Sequence, residues 1–251
     1  MCGRYTLFTP VDELESRFGA AFDAEHEPSY NCAPGEQLPV IPARDPDRAV
    51  EMTWGLTPSW AEERFDLINA RAETVREKRS FAEAYESRRC LVPADGFYEW
   101  VEGGSGGTQP YRVAFEDDRP FALAGLHERW QPPEPETTQT GLDAFGGGTS
   151  DETDSTTEPL ETFTIVTTEP NDLVADLHHR MAVILDPADE QTWLTGTPEE
   201  AASLLGPYPS TSMEAYPVSS RVNAAGTDGP ELVEPVEGVG VDGNRHARLN
   251  R

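Results

Sequence analysis

A cysteine stands at the second position of the chain, in Met1-Cys2-Gly3-Arg4-Tyr5. Cys2 is small and Gly3 leaves the end unencumbered, so removal of the initiator Met1 is expected. The chain would then begin with an amine and a thiol on adjacent carbons. A free α-amine titrates at roughly 7.7–8.0 and a thiol at about 8.5, so both are expected to be partly deprotonated near neutrality. The amine can attack an aldehyde to give a Schiff base, and the thiol can close on the imine carbon. The product is a thiazolidine ring, a covalent trap for aldehydes. Taken alone, a cysteine in this place is more often a small buried residue beside an N-terminal strand.

Further along the chain are groups that could serve such a nucleophile. In Phe97-Tyr98-Glu99-Trp100-Val101, period-two alternation puts Glu99 on the face of Phe97 and Val101, with Tyr98 and Trp100 on the other. A carboxyl in such surroundings should titrate high, which suits a proton shuttle. On pattern alone a salt-bridged strand acid is the commoner reading. His178-His179-Arg180 precedes an apolar run. Adjacent histidines project in different directions and no further ligand stands at metal spacing, so no metal is expected. One histidine is read as a proton-transfer or orienting group and Arg180 as an anion contact, beside the equally good reading of a structural histidine. Asn69-Ala70-Arg71 would place an amide and a guanidinium on one side of an extended backbone, a substrate-orienting donor and a phosphate clamp. Trp54 and Trp60 bracket a turn-prone stretch, as core residues or as a stacking platform for unpaired bases.

These side chains belong to a chain of 251 residues with a formal net charge of −27. Lys78 is its only lysine, and the remaining basic residues are arginine. Abundant carboxylates with few ammonium groups fit an intracellular protein that works in high salt. Disorder is a poor alternative, because 37% of residues are hydrophobic and the tryptophans are spread through patterned segments. Acidity of this size ordinarily repels nucleic acid. At about 1 M salt, however, the Debye length falls to about 3 Å, so distant carboxylates are screened while direct arginine contacts survive. Counterion release contributes little there, and DNA binding would rest on stacking, shape and covalent capture. Cys2, Cys32 and Cys90 form no disulfide framework or zinc spacing. No apolar run reaches spanning length and no signal-peptide core is present, so a cytoplasmic protein is expected.

The elements that must position these groups are short. Thr9-Pro10-Val11-Asp12 reads as a helix start with Thr9 as cap, running to Phe18. Tyr30–Pro42 is proline-broken and reads as loop, and Glu73–Arg88 as a charged helix. Strands are expected at Leu91–Pro93 and Phe97–Val101, separated by an Ala94-Asp95-Gly96 turn, then at Tyr111–Phe115, Phe121–Gly125, Phe163–Thr168 and Met181–Leu185. Short helices are expected at Pro187–Leu194 and Pro198–Leu205. An acidic insertion at 131–160 is expected to be disordered and the tail from 244 ragged. Without regular βαβ spacing, the fold class is α+β: one compact domain over 1–243, with a curved, mostly antiparallel, barrel-like β core flanked by short helices.

Several segments together resemble the SRAP family, the SOS-response-associated peptidases known for crosslinking to abasic sites in single-stranded DNA. They are Met1–Tyr5, Tyr30–Gly35, Trp54–Trp60, Ile68–Thr74, Ala94–Trp100, His178–Met181, Pro217–Asn223 and Pro230–Leu232, in family order through nearly the whole chain. The resemblance implies that Cys2 forms the thiazolidine with the ring-opened sugar aldehyde. It implies that Asn69 orients the sugar, that Glu99 is a general acid/base and that His178 assists proton transfer. Arg4, Arg71 and Arg180 would hold phosphates, and Pro34 and Trp60 would line a base-stacking wedge. No cofactor and no obligate protein partner is implied, and no amphipathic seam demands a dimer, so a monomer is expected. Ala182 replaces a proline of the family pattern, and the 131–160 insertion is particular to this branch. The family name adds a proposed peptidase activity, read here as self-processing of the bond after Met1. Two rival readings stand beside it: an N-terminal-cysteine amidotransferase, which also begins Met-Cys-Gly, and a non-covalent binding module for modified DNA.

Overall fold

The computed structural model describes residues 2–102, 107–133 and 158–237. In chain order its strands are β1 (Tyr5–Leu7), β2 (Ser29–Cys32), β3 (Gln37–Pro42), β4 (Val50–Trp54), β5 (Asn69–Arg71), β6 (Arg89–Ala94) and β7 (Gly96–Glu102). They continue with β8 (Thr108–Phe115), β9 (Phe121–Trp130), β10 (Leu160–Thr168), β11 (Met181–Ala182), β12 (Ile184–Leu185) and β13 (Met213–Pro217). The α-helices are α1 (Val11–Phe18), α2 (Ala82–Ser87), α3 (Glu190–Thr195) and α4 (Pro198–Ala202).

The strands form a ring and a sheet. β10, β4, β3, β6 and β9 pair in that order, and β9 returns to β10, closing a barrel. Within the ring only β4–β10 is parallel, so the α+β class with a mostly antiparallel, barrel-like core holds. The second sheet, β13-β8-β7-β1-β2, is antiparallel throughout. A contiguous apolar core joins the two, with Tyr5, Trp54, Phe97, Phe115, Phe163 and Trp193 among its large members. Closing the ring leaves its strands no exposed edge along the paired stretches.

Asp95 is the single residue between β6 in the barrel and β7 in the sheet, so the expected turn is a corner between layers rather than a hairpin. Its buried carboxylate accepts from Thr6 Oγ1 at 2.5 Å, Phe8 N at 2.6 Å, Thr9 N at 3.0 Å and Thr9 Oγ1 at 3.1 Å. Arg112, equally buried, lies 3.6 Å away and donates to the Asp95 carbonyl at 2.8 Å. Gly96 is required beside them, because a Cβ there would stand 2.7 Å from Arg112 Nε. Removing one partner of a buried pair strands the other charge. Asp95→Ala is therefore expected to destabilise the fold by roughly 3–5 kcal/mol, read as a lowered urea midpoint with unchanged slope.

Thr9 is consequently not the cap of α1; its hydroxyl and N–H are spent on Asp95, and Pro10 holds the N-cap position without a side-chain bond. The helix itself spans the expected residues and stops at Gly19, whose φ of 65° lets its N–H reach Glu15 O at 2.9 Å. The 73–88 helix shrinks to α2. From Glu73 to Ser80 the only apolar side chain is Val75, so charges had no face to bury and turns form instead. Tyr30–Pro42, read as loop, contains most of β2 and all of β3. Pro39 falls where β3 pairs with β4 alone, so one edge of that stretch needs no donor. Met181–Leu185 is split into β11 and β12 at Val183. The expected disordered insertion falls mostly on 134–157 and the tail on 244–251, outside the described residues. At the insertion's ends Trp130 pairs with Leu160, which makes it the connection of an antiparallel β9–β10 hairpin.

Candidate active site and nucleic-acid interface

The N-terminal residues lie where the sheet meets the barrel. β1 pairs with β7 (Tyr5 with Phe97), and Tyr98 N donates to Arg4 O at 3.0 Å, which carries the ladder past the strand end toward Glu99. β10 organises the other side of the site. Its residues Ile165, Val166 and Thr167 pair with Asn69, Ala70 and Arg71 of β5, while Thr167 and Thr168 pair with Ala182 and Met181 of β11. Asn69 and Arg71 thus share a strand face, and the His178–Arg180 turn enters β11 beside them.

Four of the expected residues converge here. Asn69 Nδ2 donates to the Cys2 carbonyl at 2.9 Å. Asn69 Oδ1 is buried with no hydrogen-bond partner among the described residues. Glu99 Oε2 lies 3.9 Å from His178 Nδ1. The same imidazole nitrogen is 3.1 Å from both the N–H and the carbonyl of Arg180, so it can accept when neutral and donate when protonated. The His179 ring packs on that of His178 with centroids 4.2 Å apart.

Burial sets the electrostatics. Glu99 is 2% exposed, and desolvation pushes its carboxyl up to about 7. Burial also pushes His178 down, away from its charged form. Cys2 is fully buried, and desolvation followed by the nearby Glu99 charge raises its thiol to about 12. Burial thus holds the Cys2 thiol away from its ionised form, so its addition to an imine calls for a base. Glu99, whose field it feels, is titrated at the right pH to be that base.

The basic residues divide. Arg71 is exposed. Arg4 is tied down by Nη1, which donates to Asn31 Oδ1 at 2.7 Å and Val222 O at 2.8 Å. Arg180 is clasped by Glu73, Nη2 donating to Oε2 at 3.0 Å with a shorter bond from Nη1 to Oε1, and Nη2 also reaches Thr167 O at 2.5 Å. Both Arg4 and Arg180 are thus engaged by acceptors of the protein itself. The tryptophans divide too. Trp54 is core, stacked on Phe163 with its Nε1 donating to Ile68 O at 2.9 Å. Trp60 is 40% exposed, with the Arg79 guanidinium 4.0 Å over its ring. Pro34 is exposed in the turn between β2 and β3.

A model of the SOS response associated peptidase (SRAP) family matches residues 1–225. The chain belongs to this family. It is 39% identical over 244 residues to the abasic site processing protein YoqW of Bacillus subtilis, covering 93% of this chain and 99% of that one. It is 33% identical to the abasic site processing protein HMCES of Gallus gallus, covering 86% of this chain and 68% of that protein. A crystal structure of a protein from Bacteroides thetaiotaomicron superposes with a TM-score of 0.77 at 26% identity, over 94% of this chain and all of that one.

Within this SRAP chain two contributors escaped the sequence reading. Asn31 is buried and donates its amide to Val222 O, Ala224 O and Thr227 O, at 3.3, 3.2 and 2.8 Å, while accepting from Arg4. It fastens the N-terminal residues to the 222–227 segment. Its place in the Tyr30–Gly35 segment of the family resemblance was the available signal. Arg79 was invisible because its partner, Trp60, is 19 residues away on another loop. Among the described residues no helix is long and apolar enough to cross a membrane.

Proposed function

We propose that this chain captures abasic sites in single-stranded DNA as a covalent thiazolidine on Cys2, after Met1 is removed, acting as a cytoplasmic monomer. The observation that carries the reading is the convergence of Cys2, Asn69, Glu99 and His178 where the two β layers meet. Its relatives' names, abasic site processing proteins, support the same substrate.

The steps follow from the protonation states. The Cys2 amine attacks C1′ of the ring-opened sugar, forming a C–N bond and a carbinolamine. Glu99, near half-protonated at neutral pH, gives a proton to the departing hydroxyl, and water leaves as the imine forms. The neutral thiol then adds to the imine carbon, Glu99 or His178 taking its proton as the C–S bond closes and returning it to the ring nitrogen. Asn69 holds the Cys2 carbonyl and offers Oδ1 to a sugar hydroxyl. Peptidase chemistry is confined to cleavage after Met1, which exposes the amine that the capture requires.

Base stacking on Trp60 and Pro34 would hold the flanking strand, with Arg71 on a phosphate. Arg180 would meet a phosphate only by sharing with Glu73, and Arg4 only through donors other than Nη1. Trp60→Ala is expected to weaken binding of an undamaged single strand by about 1–3 kcal/mol, measured by fluorescence anisotropy, with most affinity retained in molar potassium chloride. The function is tested by denaturing gel electrophoresis with a single-stranded oligonucleotide bearing one abasic site. A heat-stable shifted band, absent with the undamaged strand, is the expected result; no band at any salt, with Met1 absent by mass spectrometry, overturns the reading.

A further inference from the structure

The exposed Trp60 sits on a loop whose alternate residues are each fastened inward. Thr57 N donates to Thr162 Oγ1 at 3.0 Å, Ser59 N donates to Glu128 Oε2 at 3.2 Å, and Ala61 O accepts from Trp130 Nε1 at 2.8 Å. The three anchors come from one place. Glu128 and Thr162 are direct cross-strand partners in β9 and β10, and Trp130 lies two residues beyond Glu128 on the same strand face. The anchoring is costly to build. Glu128 is 4% exposed, and a buried carboxylate needs a counter-charge, which Arg88 supplies with Nε 2.6 Å from Oε1 and Nη2 3.2 Å from Oε2. Trp130 is itself 8% exposed, so its indole N–H would be an orphaned donor without Ala61. Both chain neighbours of Trp60 are thus bonded to side chains of the β9 strand.

We infer that Glu128 and Trp130 are positioning residues for DNA binding, a two-point clamp that holds the 57–61 loop in the shape that presents the Trp60 ring to a base. The inference rests on the proposed reading of Trp60 as a stacking platform. The physical effect is preorganisation. A tryptophan on a loop free to fold back would bury its ring against the protein, and each base stacked would have to draw it out again. With the backbone on both sides of Trp60 tied to β9, the exposed ring is held in place, and Phe65, edge-on at 6.0 Å, and Arg79 over one face fix its rotation. Neither Glu128 nor Trp130 needs to touch DNA or the reacting atoms.

The test is a double-mutant cycle on binding of an undamaged single strand by anisotropy, in high and low potassium chloride, with the full chain. Trp130→Phe keeps the apolar body and removes the N–H; Glu128→Gln keeps the shape but leaves one acceptor oxygen for Arg88 and the Ser59 N–H to compete for. Each is expected to weaken binding about three- to ten-fold, the size of one hydrogen bond lost or weakened. In the Trp60→Ala background the same changes should cost less than two-fold, because the ring they aim is gone. Single-turnover crosslinking to abasic DNA should show the loss in the half-saturating concentration, with the saturating rate within two-fold. A general structural defect would cost as much with Trp60 absent as with it present, and that result overturns the inference, as does unchanged binding in both single variants. If Glu128→Gln unfolds the chain, the Trp130→Phe cycle decides alone. Loss of the covalent product with the binding cycle intact would sink the crosslinking reading and leave this one standing; wild type without measurable DNA binding at any salt overturns both.

Discussion

Glu99→Gln is expected to slow covalent capture at pH 7 by about 10²–10⁴-fold, the usual worth of a positioned acid–base group. The structural reason is that the proton given to the departing hydroxyl comes from a buried carboxyl 3.9 Å from His178 whose charge the Cys2 thiol feels, and the same carboxyl can take the thiol's proton. A thiol raised to about 12 does not ionise unaided near neutrality, and a carboxyl at about 7 can be acid in one step and base in the next. Glutamine keeps the shape and does neither. In the wild type the rate of imine formation should fall as pH rises through about 7, and the variant should lack that limb.

The same substitution should move stability in the opposite direction. Glu99 is protonated in the folded chain up to about 7, whereas in the unfolded chain it ionises near its ordinary value of 4.5. Between those values the native state binds the extra proton, so this group's contribution falls as pH rises and levels off above 7. The advantage of Glu99→Gln over wild type should therefore grow by about 2 kcal/mol between pH 5.5 and 8, measured by urea unfolding at each pH. A site that loses activity while gaining stability at alkaline pH is one held in strain for its chemistry. An equal advantage of the variant at the two pH values would place Glu99 in an ordinary surface-like environment and remove the basis for its role.

The second large effect concerns the nucleophile. Cys2→Ala should abolish the heat-stable product, because an amine alone gives only an imine, which water reverses. Cys2→Ser keeps the amine and supplies a weaker second nucleophile. Its product should be lost on heating unless borohydride reduces it first, a difference read on the same denaturing gel. A non-covalent module would be indifferent to both changes, and a glutamine-dependent amidotransferase would instead release ammonia from glutamine in a manner that requires Cys2.

How much of this was legible beforehand depends on the range of the interaction. Alternation along Phe97–Val101 is local, and it placed Glu99 in a strand among apolar neighbours, as β7 has it. The 11–18 helix follows from its own apolar face. Thr9 misled because its true partner, Asp95, is 86 residues away, and a side chain that looks like a cap from sequence can be claimed by any buried acceptor. Tyr30–Pro42 misled because proline content does not reveal which edge of a strand lacks a neighbour. Burial of Cys2 could not be read from the sequence, and a reference titration value presumes water around the thiol. The convergence of β5 and β11 on opposite edges of β10, which assembles Asn69 with the His178 turn, is a matter of pairing between distant segments. Period and propensity say nothing about that; the family pattern in the sequence did.

The most direct measurement is mass spectrometry of the crosslinked product after nuclease and trypsin digestion, with iodoacetamide added before cleavage. Trypsin should release Cys2-Gly3-Arg4, since Arg4 ends the first tryptic segment. Capture as a thiazolidine predicts this peptide without Met1, carrying the mass of the sugar remnant less one water, with its sulfur closed to alkylation. An adduct whose Cys2 sulfur still takes iodoacetamide, or one attached to another residue, would contradict the account.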